Sequence, residues 1–397
     1  MSRIGIYGGS FNPPHAGHVL AAAQSVQRLQ LDRLLVIPAY DPPHKQQAEG
    51  TPDAETRLAL TRLAFADIPE AEVSDIEIRR EGVSYTVDTL RSLRSLYPND
   101  ELILLMGTDM LLSFLTWRAP QQIASMAKLA VMHRQNESEQ LRAEVQAAAQ
   151  QIEQSCQTQV LFAENESIEV SSTEIRRMLA FGVPEYRLPQ AVGERIREKQ
   201  LYGCGVDRRG LPFEALKTLS LRLHDEKRRA HVIGCCETAV ELAERWGADP
   251  VAARRAGILH DITKALSPAA QLAVCDHYAA PLSEFERAHP KLLHAKSGAV
   301  VAGAVFGESE AVCQAIWWHT TGKADMALLD KIIYLADYME PNRDFPGVEQ
   351  LRALCRVDLD AALRTGLEMS LESLRRRGQP IDENSMAAWQ YLSTRGE

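Results

Sequence analysis

The chain has 397 residues, 45% apolar and 24% charged side chains, and a formal net charge of −9. That length predicts two or more separate cores, and the acidic balance argues against a broad nucleic-acid footprint. No apolar run reaches the roughly 18 residues that a membrane-spanning helix requires. The chain enters the pattern Ile4-Gly5-Ile6 directly, with no basic segment followed by an apolar one, which predicts a cytoplasmic protein. Seven cysteines without a C-x-x-C pair read as reduced thiols packed as small apolar residues. The basic runs Lys227-Arg228-Arg229 and Arg375-Arg376-Arg377 read as solvated helix faces.

Over residues 1–200, short apolar runs alternate with amphipathic stretches. Strands are expected at 3–7, 34–38, 73–76, 101–106, 128–133 and 160–162, with helices at 17–30, 54–65 and 141–154 among the segments between them. Such alternation implies βαβ units and a parallel sheet covered on both faces. Residues 201–212, with GCGVDRRGLP, form a glycine-rich polar linker. From 213 to 397 nearly every segment is helical by periodicity, as at 238–245, 251–259 and 328–338. The expected architecture is therefore an α/β domain over 1–200, a linker over 201–212 and an all-α domain over 213–397.

The first strand ends in GGSFNPPHAGH, residues 8–18. Two glycines followed by Pro13-Pro14 and a helix start near Ala16 deliver a loop whose backbone can approach a ligand, with helix-terminal N–H groups facing it. His15 and His18 lie three residues apart on that first turn and can both reach an anion there, although the spacing alone also suits metal ligands or surface residues. Ser171-Ser172-Thr173-Glu174-Ile175-Arg176 reads as a capping box through Ser171 and Glu174. Its three hydroxyls and Arg176 also make a cradle for a polyphosphate.

GGSFNPPHAGH and VSSTEIR, with IPAYDPPHK (37–45), SYTVDTL (84–90), MGTDM (106–110) and Trp117-Arg118, resemble the HxGH-type nucleotidyltransferases, most closely the bacterial nicotinate-nucleotide adenylyltransferases. The resemblance covers nearly all of residues 1–190. It implies a Rossmann-like sheet and Mg²⁺-dependent transfer of AMP from ATP to nicotinate mononucleotide. It also implies that His15 and His18 stabilise charge on the transferred and leaving phosphates and that Lys45 and Arg176 neutralise the polyphosphate, Arg176 counting with the histidines as catalytic. Gly8, Ser10, Phe11, Ser171, Ser172 and Thr173 would surround the ATP phosphates. Thr86, Asp109, Trp117 and Arg134 would receive the mononucleotide, Trp117 stacking on its pyridine ring, the alternative being a core tryptophan. Thr108 departs from the alanine found in many members.

In the helical half, His231, His260-Asp261, His294, His319 and Asp337 are notable as a set. Asp337 lies in the apolar stretch KIIYLAD, where an unpaired carboxylate would be costly to bury. A metal removes that cost, and mixed imidazole and carboxylate donors suit Fe, Mn or another divalent transition metal, with Zn also open. With HVIGCCETAVELA, GILHDITK, HAKSGA, WHTTG and YLADYMEPNRDFPGV, the ordered set resembles the HD-domain phosphohydrolases, specifically bacterial enzymes that split diadenosine tetraphosphate symmetrically into two ADP. By that resemblance His231, His260, Asp261 and Asp337 hold one metal, and His294 and His319 a second, with Asp261 bridging. Two metals clamp phosphate oxygens and lower the pKa of an attacking water. Lys264, placed among the catalytic groups, and Arg343 would contact the anionic substrate. Thr320 and Thr321 would line its path, a helix-ending turn at Gly322 being the alternative. The expected whole is a bifunctional enzyme acting on small nucleotides (ATP, nicotinate mononucleotide and diadenosine tetraphosphate), with neither nucleic acid nor membrane as partner and no sequence signal for oligomeric state. Two alternatives remain open at this level: a helical half that senses a nucleotide without turning it over, and one that hydrolyses another phosphate ester.

Overall fold

The computed structural model describes residues 1–43, 50–134, 138–166 and 168–394. The chain divides into two compact units, Met1–Ala180 with Pro184–Gly205, and Val206–Glu397 with Phe181–Val183.

The first unit is built on a six-stranded sheet in the order β3-β2-β1-β4-β5-β6. Its strands are β1 (Arg3–Gly9), β2 (Arg33–Pro38), β3 (Ala71–Val73), β4 (Glu101–Gly107), β5 (Lys128–Arg134) and β6 (Val160–Asn165). Every neighbouring pair is parallel. The central strands are buried runs such as Leu34-Leu35-Val36-Ile37 and Leu102 to Met106, because helices cover both faces of a parallel sheet. Alternate residues feed opposite cores: Ile4, Ile6, Leu35, Leu104 and Met106 on one face, Tyr7, Leu34, Val36, Ile103 and Leu105 on the other.

The Ala54–Phe65 helix falls at its expected bounds, with the Asp53 carboxylate accepting from Thr56 N–H. One expectation is corrected. The strand foreseen at 73–76 lies earlier, at Ala71–Val73, and Ile76 opens the short helix Ile76–Arg80 that buries Ile78. Among the described residues that edge strand pairs only with β2, and its register ends at Val36↔Val73. With no further partner to hold an extended backbone, burial of Ile78 sets the local conformation.

Strand order reverses between β1 and β4, so the loops after Gly9 and Gly107 diverge at the carboxyl edge of the sheet. This is where an open α/β sheet leaves a crevice for ligands.

The second unit is helical. It includes Glu226–Trp246, Pro250–Leu259, Leu293–Phe306, Glu310–Trp318 and Leu328–Met339. The helices start on side-chain caps at Asp225, Asp249 and Ser309, with Pro250 at the first turn of its helix. Gly257 lets the Pro250–Leu259 helix press on Glu226–Trp246, since a Cβ there would lie 2.7 Å from Cys236 Cα. All seven cysteines are unpaired. No helix among the described residues is long and apolar enough to cross a membrane.

Candidate functional site

In the first unit, β1 hands the chain to the loop Gly8-Gly9-Ser10-Phe11. A Cβ on Gly8 would meet open space, so this stretch presents bare backbone at the crevice. Phe11 (φ 41°) anchors the loop from below, its ring edge-on to Tyr7, Phe65 and His18 at 5.5, 5.7 and 5.2 Å. The carbonyls above it are held by cations. Arg57, only 2% exposed, donates from Nη1 to Ser10 O (3.0 Å) and Ala39 O (2.6 Å) and from Nη2 to Tyr40 O (2.9 Å). Arg176 donates to Asn12 O at 2.7 Å and to Thr173 Oγ1 at 3.0 Å, and the Ser172 hydroxyl donates to Pro13 O at 3.0 Å. Ser172 and Arg176, expected at the phosphates, thus also tie the Ser172–Ala180 helix to the signature loop. Ser171 Oγ accepts from Glu174 N–H at 3.1 Å, as a helix cap does.

His15 precedes the Ala16–Arg28 helix, and its backbone N–H donates to His18 Nδ1 at 3.2 Å. That contact makes Nδ1 the acceptor of the His18 ring and places its proton on Nε2. The two rings stack with centroids 3.6 Å apart. His15 is buried, its Nδ1 has no hydrogen-bond partner among the described residues, and burial pushes its pKa down to about 4. Its ring is therefore neutral at neutral pH.

Across the crevice, Asp109 is exposed on the first turn of Thr108–Ser113, with Gly107 leaving room for its carboxylate. Thr86 opens the Thr86–Leu96 helix. Trp117 is half-buried, packed against Phe114 (centroids 5.5 Å) with its Nε1–H donating to Ser113 Oγ at 3.4 Å. Arg134 ends β5, and Lys45 lies outside the described residues. Arg57 went unforeseen, yet it had a local signal: it stands on one helix face with buried Thr61 and Ala64 at i+4 and i+7, a cation inside a buried stripe.

In the second unit the helices gather the six expected ligands. His231 Nε2 and His260 Nε2 are 3.2 Å apart, as are His294 Nε2 and His319 Nε2. Asp261 stands between the pairs: Oδ2 is 3.7 and 3.6 Å from the first, Oδ1 3.4 and 3.9 Å from the second. Asp337 Oδ1 lies 3.1 Å from His231 Nε2 and 3.9 Å from His260 Nε2. Two triads, His231-His260-Asp261 and Asp261-His294-His319, each bring their donor atoms within 4.8 Å of one another.

The hydrogen bonds test whether this set suits a metal. His260 Nδ1 lies 2.8 Å from Gly257 O and His319 Nδ1 2.7 Å from Ile316 O. A carbonyl only accepts, so both protons sit on Nδ1 and both Nε2 lone pairs point inward. Lone pairs aimed at neighbouring nitrogens beside two carboxylates are unfavourable until a cation lies among them, so the donor set fits divalent metal. Burial keeps His260, His294 and His319 neutral by lowering their pKa values, His319 to about 4. Burial opposes ionisation of Asp261 and Asp337, but it is outweighed, with Lys264 beside Asp261 and the His231 hydrogen bond and Arg343 at Asp337, and both are held below the usual carboxylate range.

Cations rim the cluster. Arg343 Nη2 donates to Asp337 Oδ1 at 2.8 Å, and Lys264 Nζ lies 2.9 Å from His294 Nε2 and 3.9 Å from Asp261 Oδ1. Arg228, which the sequence placed on a solvated face, instead donates to Asp261 Oδ2 at 2.8 Å. Thr321 is buried and donates to Gly322 O at 3.0 Å where Gly322 takes φ 66°. Thr320 Oγ1 is buried without a hydrogen-bond partner among the described residues. A second unforeseen residue, Glu340, accepts from His231 Nδ1 at 3.1 Å.

A doubly wound sheet with a phosphate-type loop, joined to a helical His/Asp cluster, defines a nucleotidyltransferase-like domain followed by an HD domain. Residues 6–178 match the cytidylyltransferase-like family and residues 228–342 the HD domain family. The chain is 34% identical over 204 residues to the probable nicotinate-nucleotide adenylyltransferase of Shouchella clausii, spanning 98% of that protein and 51% of this chain. It is 40% identical over 202 residues to the protein of the same name from Thermus thermophilus, spanning 99% of it and 50% of this chain. Through its first half, the chain belongs to the nicotinate-nucleotide adenylyltransferase family. Among solved structures, a predicted HD superfamily hydrolase involved in NAD metabolism from Clostridium acetobutylicum shares 34% identity at a TM-score of 0.45, over 98% of that chain and 47% of this one.

Proposed function

We propose that the first unit transfers AMP from ATP to nicotinate mononucleotide and that the second hydrolyses diadenosine tetraphosphate symmetrically to two ADP. The cation-clamped loop at the β1/β4 reversal carries the first assignment. A phosphate oxygen of the mononucleotide attacks the α-phosphorus of ATP, the Pα–O bond to the β-phosphate breaks, and pyrophosphate leaves. Such a transfer needs positioning and charge stabilisation more than covalent help from the protein. His18 directs Nε2–H at the transferred phosphate, whereas the helix-start N–H groups of Ala16 and His18 are already donated to Arg187 O and His15 O, both at 2.9 Å. Lys45 and Arg176 offset charge on the leaving pyrophosphate and neutral His15 stabilises the phosphates as a hydrogen-bonding ring, with Gly8, Ser10, Phe11, Ser171, Ser172 and Thr173 around them and Mg²⁺ accompanying ATP. Thr86, Asp109, Trp117 and Arg134 take the mononucleotide. His18→Ala is expected to abolish adenylyl transfer while the far-ultraviolet circular dichroism stays unchanged; near-normal turnover removes His18 from this role.

For the second unit, the carrying observation is the pair of histidine couples sharing Asp261. Divalent metal held there supplies Lewis acidity and acidifies water. Asp261 spans both subsites, Asp337 completes the first, and Lys264 and Arg343 face the incoming phosphates as cations; Thr320 and Thr321, directly after His319, line the substrate's path. Full-length protein with added Mn²⁺ is expected to convert diadenosine tetraphosphate to ADP as sole product. His260→Ala combined with Asp261→Ala should lose bound metal and hydrolysis together, and hydrolysis that survives metal loss overturns the assignment. Failure of the wild type to turn over this substrate, AMP or a cyclic dinucleotide with any divalent metal would leave a sensing module.

A further inference from the structure

We infer that Glu340 is a positioning residue for the first metal subsite, its buried carboxylate holding a proton on His231 Nδ1 and so presenting Nε2 as the ligating atom. The inference rests on reading the His/Asp cluster as a metal site. Glu340 follows the Leu328–Met339 helix and is 1% exposed. A carboxylate so placed is costly unless its oxygens are occupied. They are: Oε1 takes the His231 Nδ1 contact at 3.1 Å, and Oε2 accepts from Asn342 N–H at 2.7 Å and Asn342 Nδ2 at 2.8 Å. With Oε2 facing two donors, the group is suited to be an anion that accepts at both ends.

The surroundings are shaped for this one carboxylate. Gly234 stands three residues after His231 on the same helix face, and a Cβ there would collide with Glu340 Oε2 and come within 3.1 Å of Asn342 Nδ2. Asn342 Nδ2 also donates to Ala230 O at 3.2 Å, tying the turn to the residue next to His231. From the other side Arg352 clamps the turn, Nε donating to Met339 O at 2.9 Å and Nη2 to Glu340 O at 2.8 Å and Arg343 O at 2.9 Å.

The four histidines are not held alike. His260 and His319 each turn Nδ1 to a carbonyl three residues back in their own helix. His294 Nδ1 lies 3.2 Å from the Lys264 ammonium. His231 alone among them has a carboxylate on Nδ1. A carboxylate behind a ligating imidazole fixes its tautomer and raises its basicity, and its loss commonly costs ten- to a hundredfold in metal affinity. The structure therefore assigns His231 as the strongest imidazole donor, through a residue that does not itself touch the metal.

The test uses full-length protein freed of metal by chelator and titrated with Mn²⁺, beside zinc-loaded protein for nitrogen NMR. Glu340→Ala is expected to raise the Kd of the tighter Mn²⁺ step by about ten- to a hundredfold. Gly234→Ala, which keeps the charge but displaces it, should shift that Kd in the same direction. The zinc-loaded wild type should show a slowly exchanging His231 Nδ1–H, assigned by its absence in His231→Gln, and Glu340→Ala should lose it. This signal is read on the wild type and decides the matter even if Glu340→Ala does not fold. Tight Mn²⁺ binding by the wild type, with equal affinity in folded Glu340→Ala or no protected His231 Nδ1–H, overturns the inference alone. A wild type that binds neither ion overturns the metal reading and this inference with it.

Discussion

Arg57 directs one guanidinium at three main-chain carbonyls from two loops that flank the crevice. Hydrogen bonds from a charged donor contribute about 1.5–3 kcal/mol each, and their removal leaves buried carbonyls unsatisfied. Arg57→Ala should cost about 3 kcal/mol in urea unfolding and slow adenylyl transfer. Arg57→Lys should recover little, because an ammonium lacks the fork that spans the carbonyls. Unchanged stability in Arg57→Ala would show that the loops are held by other contacts. His15 gives a pH signature. Its folded pKa of about 4 is below the unfolded 6.5, so the neutral ring contributes stability that is fully present above pH 6.5 and is lost as pH falls through 4. His15→Thr should reduce the drop in unfolding free energy between pH 7 and 4.5 by about 2–3 kcal/mol. Parallel pH profiles for the two proteins would refute burial as the cause.

At the scale of elements, the geometry of the proposed metal site depends on helices brought into backbone contact. The Glu226–Trp246 and Pro250–Leu259 helices carry His231 and end at His260, and they meet at Gly257, where any Cβ presses on Cys236 Cα at 2.7 Å. Main-chain atoms cannot rotate aside. Gly257→Ala should therefore cost about 1–3 kcal/mol and weaken Mn²⁺ binding by parting the two histidines, measured by thermal unfolding and titration of the same sample; native metal affinity would mean that the helices shift without opening the pair. Elements also differ in how well the chain announces them. The β1, β2 and β4 runs were legible because burial on both faces leaves unbroken apolar stretches. Short β3, with exposed Glu72 in its middle, has no such pattern, and its bounds follow from β2 alone.

For the whole molecule, each unit holds its own candidate site: the loop, clamps and histidine pair lie in the first, and the six clustered histidines and aspartates in the second. His260→Ala with Asp261→Ala should therefore leave adenylyl transfer unchanged while hydrolysis disappears, in assays on one preparation. Loss of both activities would show coupling between them. A net charge of −9 also implies that anionic substrates are attracted by local cations rather than by the overall field. On the proposed roles of Arg176, Lys264 and Arg343, raised salt should raise the KM for ATP and for diadenosine tetraphosphate, measured in steady-state assays.

By itself the sequence determined the alternation of strands and helices in the first half, the helical second half, the loop at residues 8–18 and the series from His231 to Asp337, because periodicity and motif spacing are local properties. The tertiary structure alone decided what holds those residues. Arg57 meets Ser10 across 47 positions, Arg176 meets Asn12 across 164, and Glu340 meets His231 across 109. Such pairings arise from which faces pack together, and no periodicity within a segment encodes a partner that far along the chain.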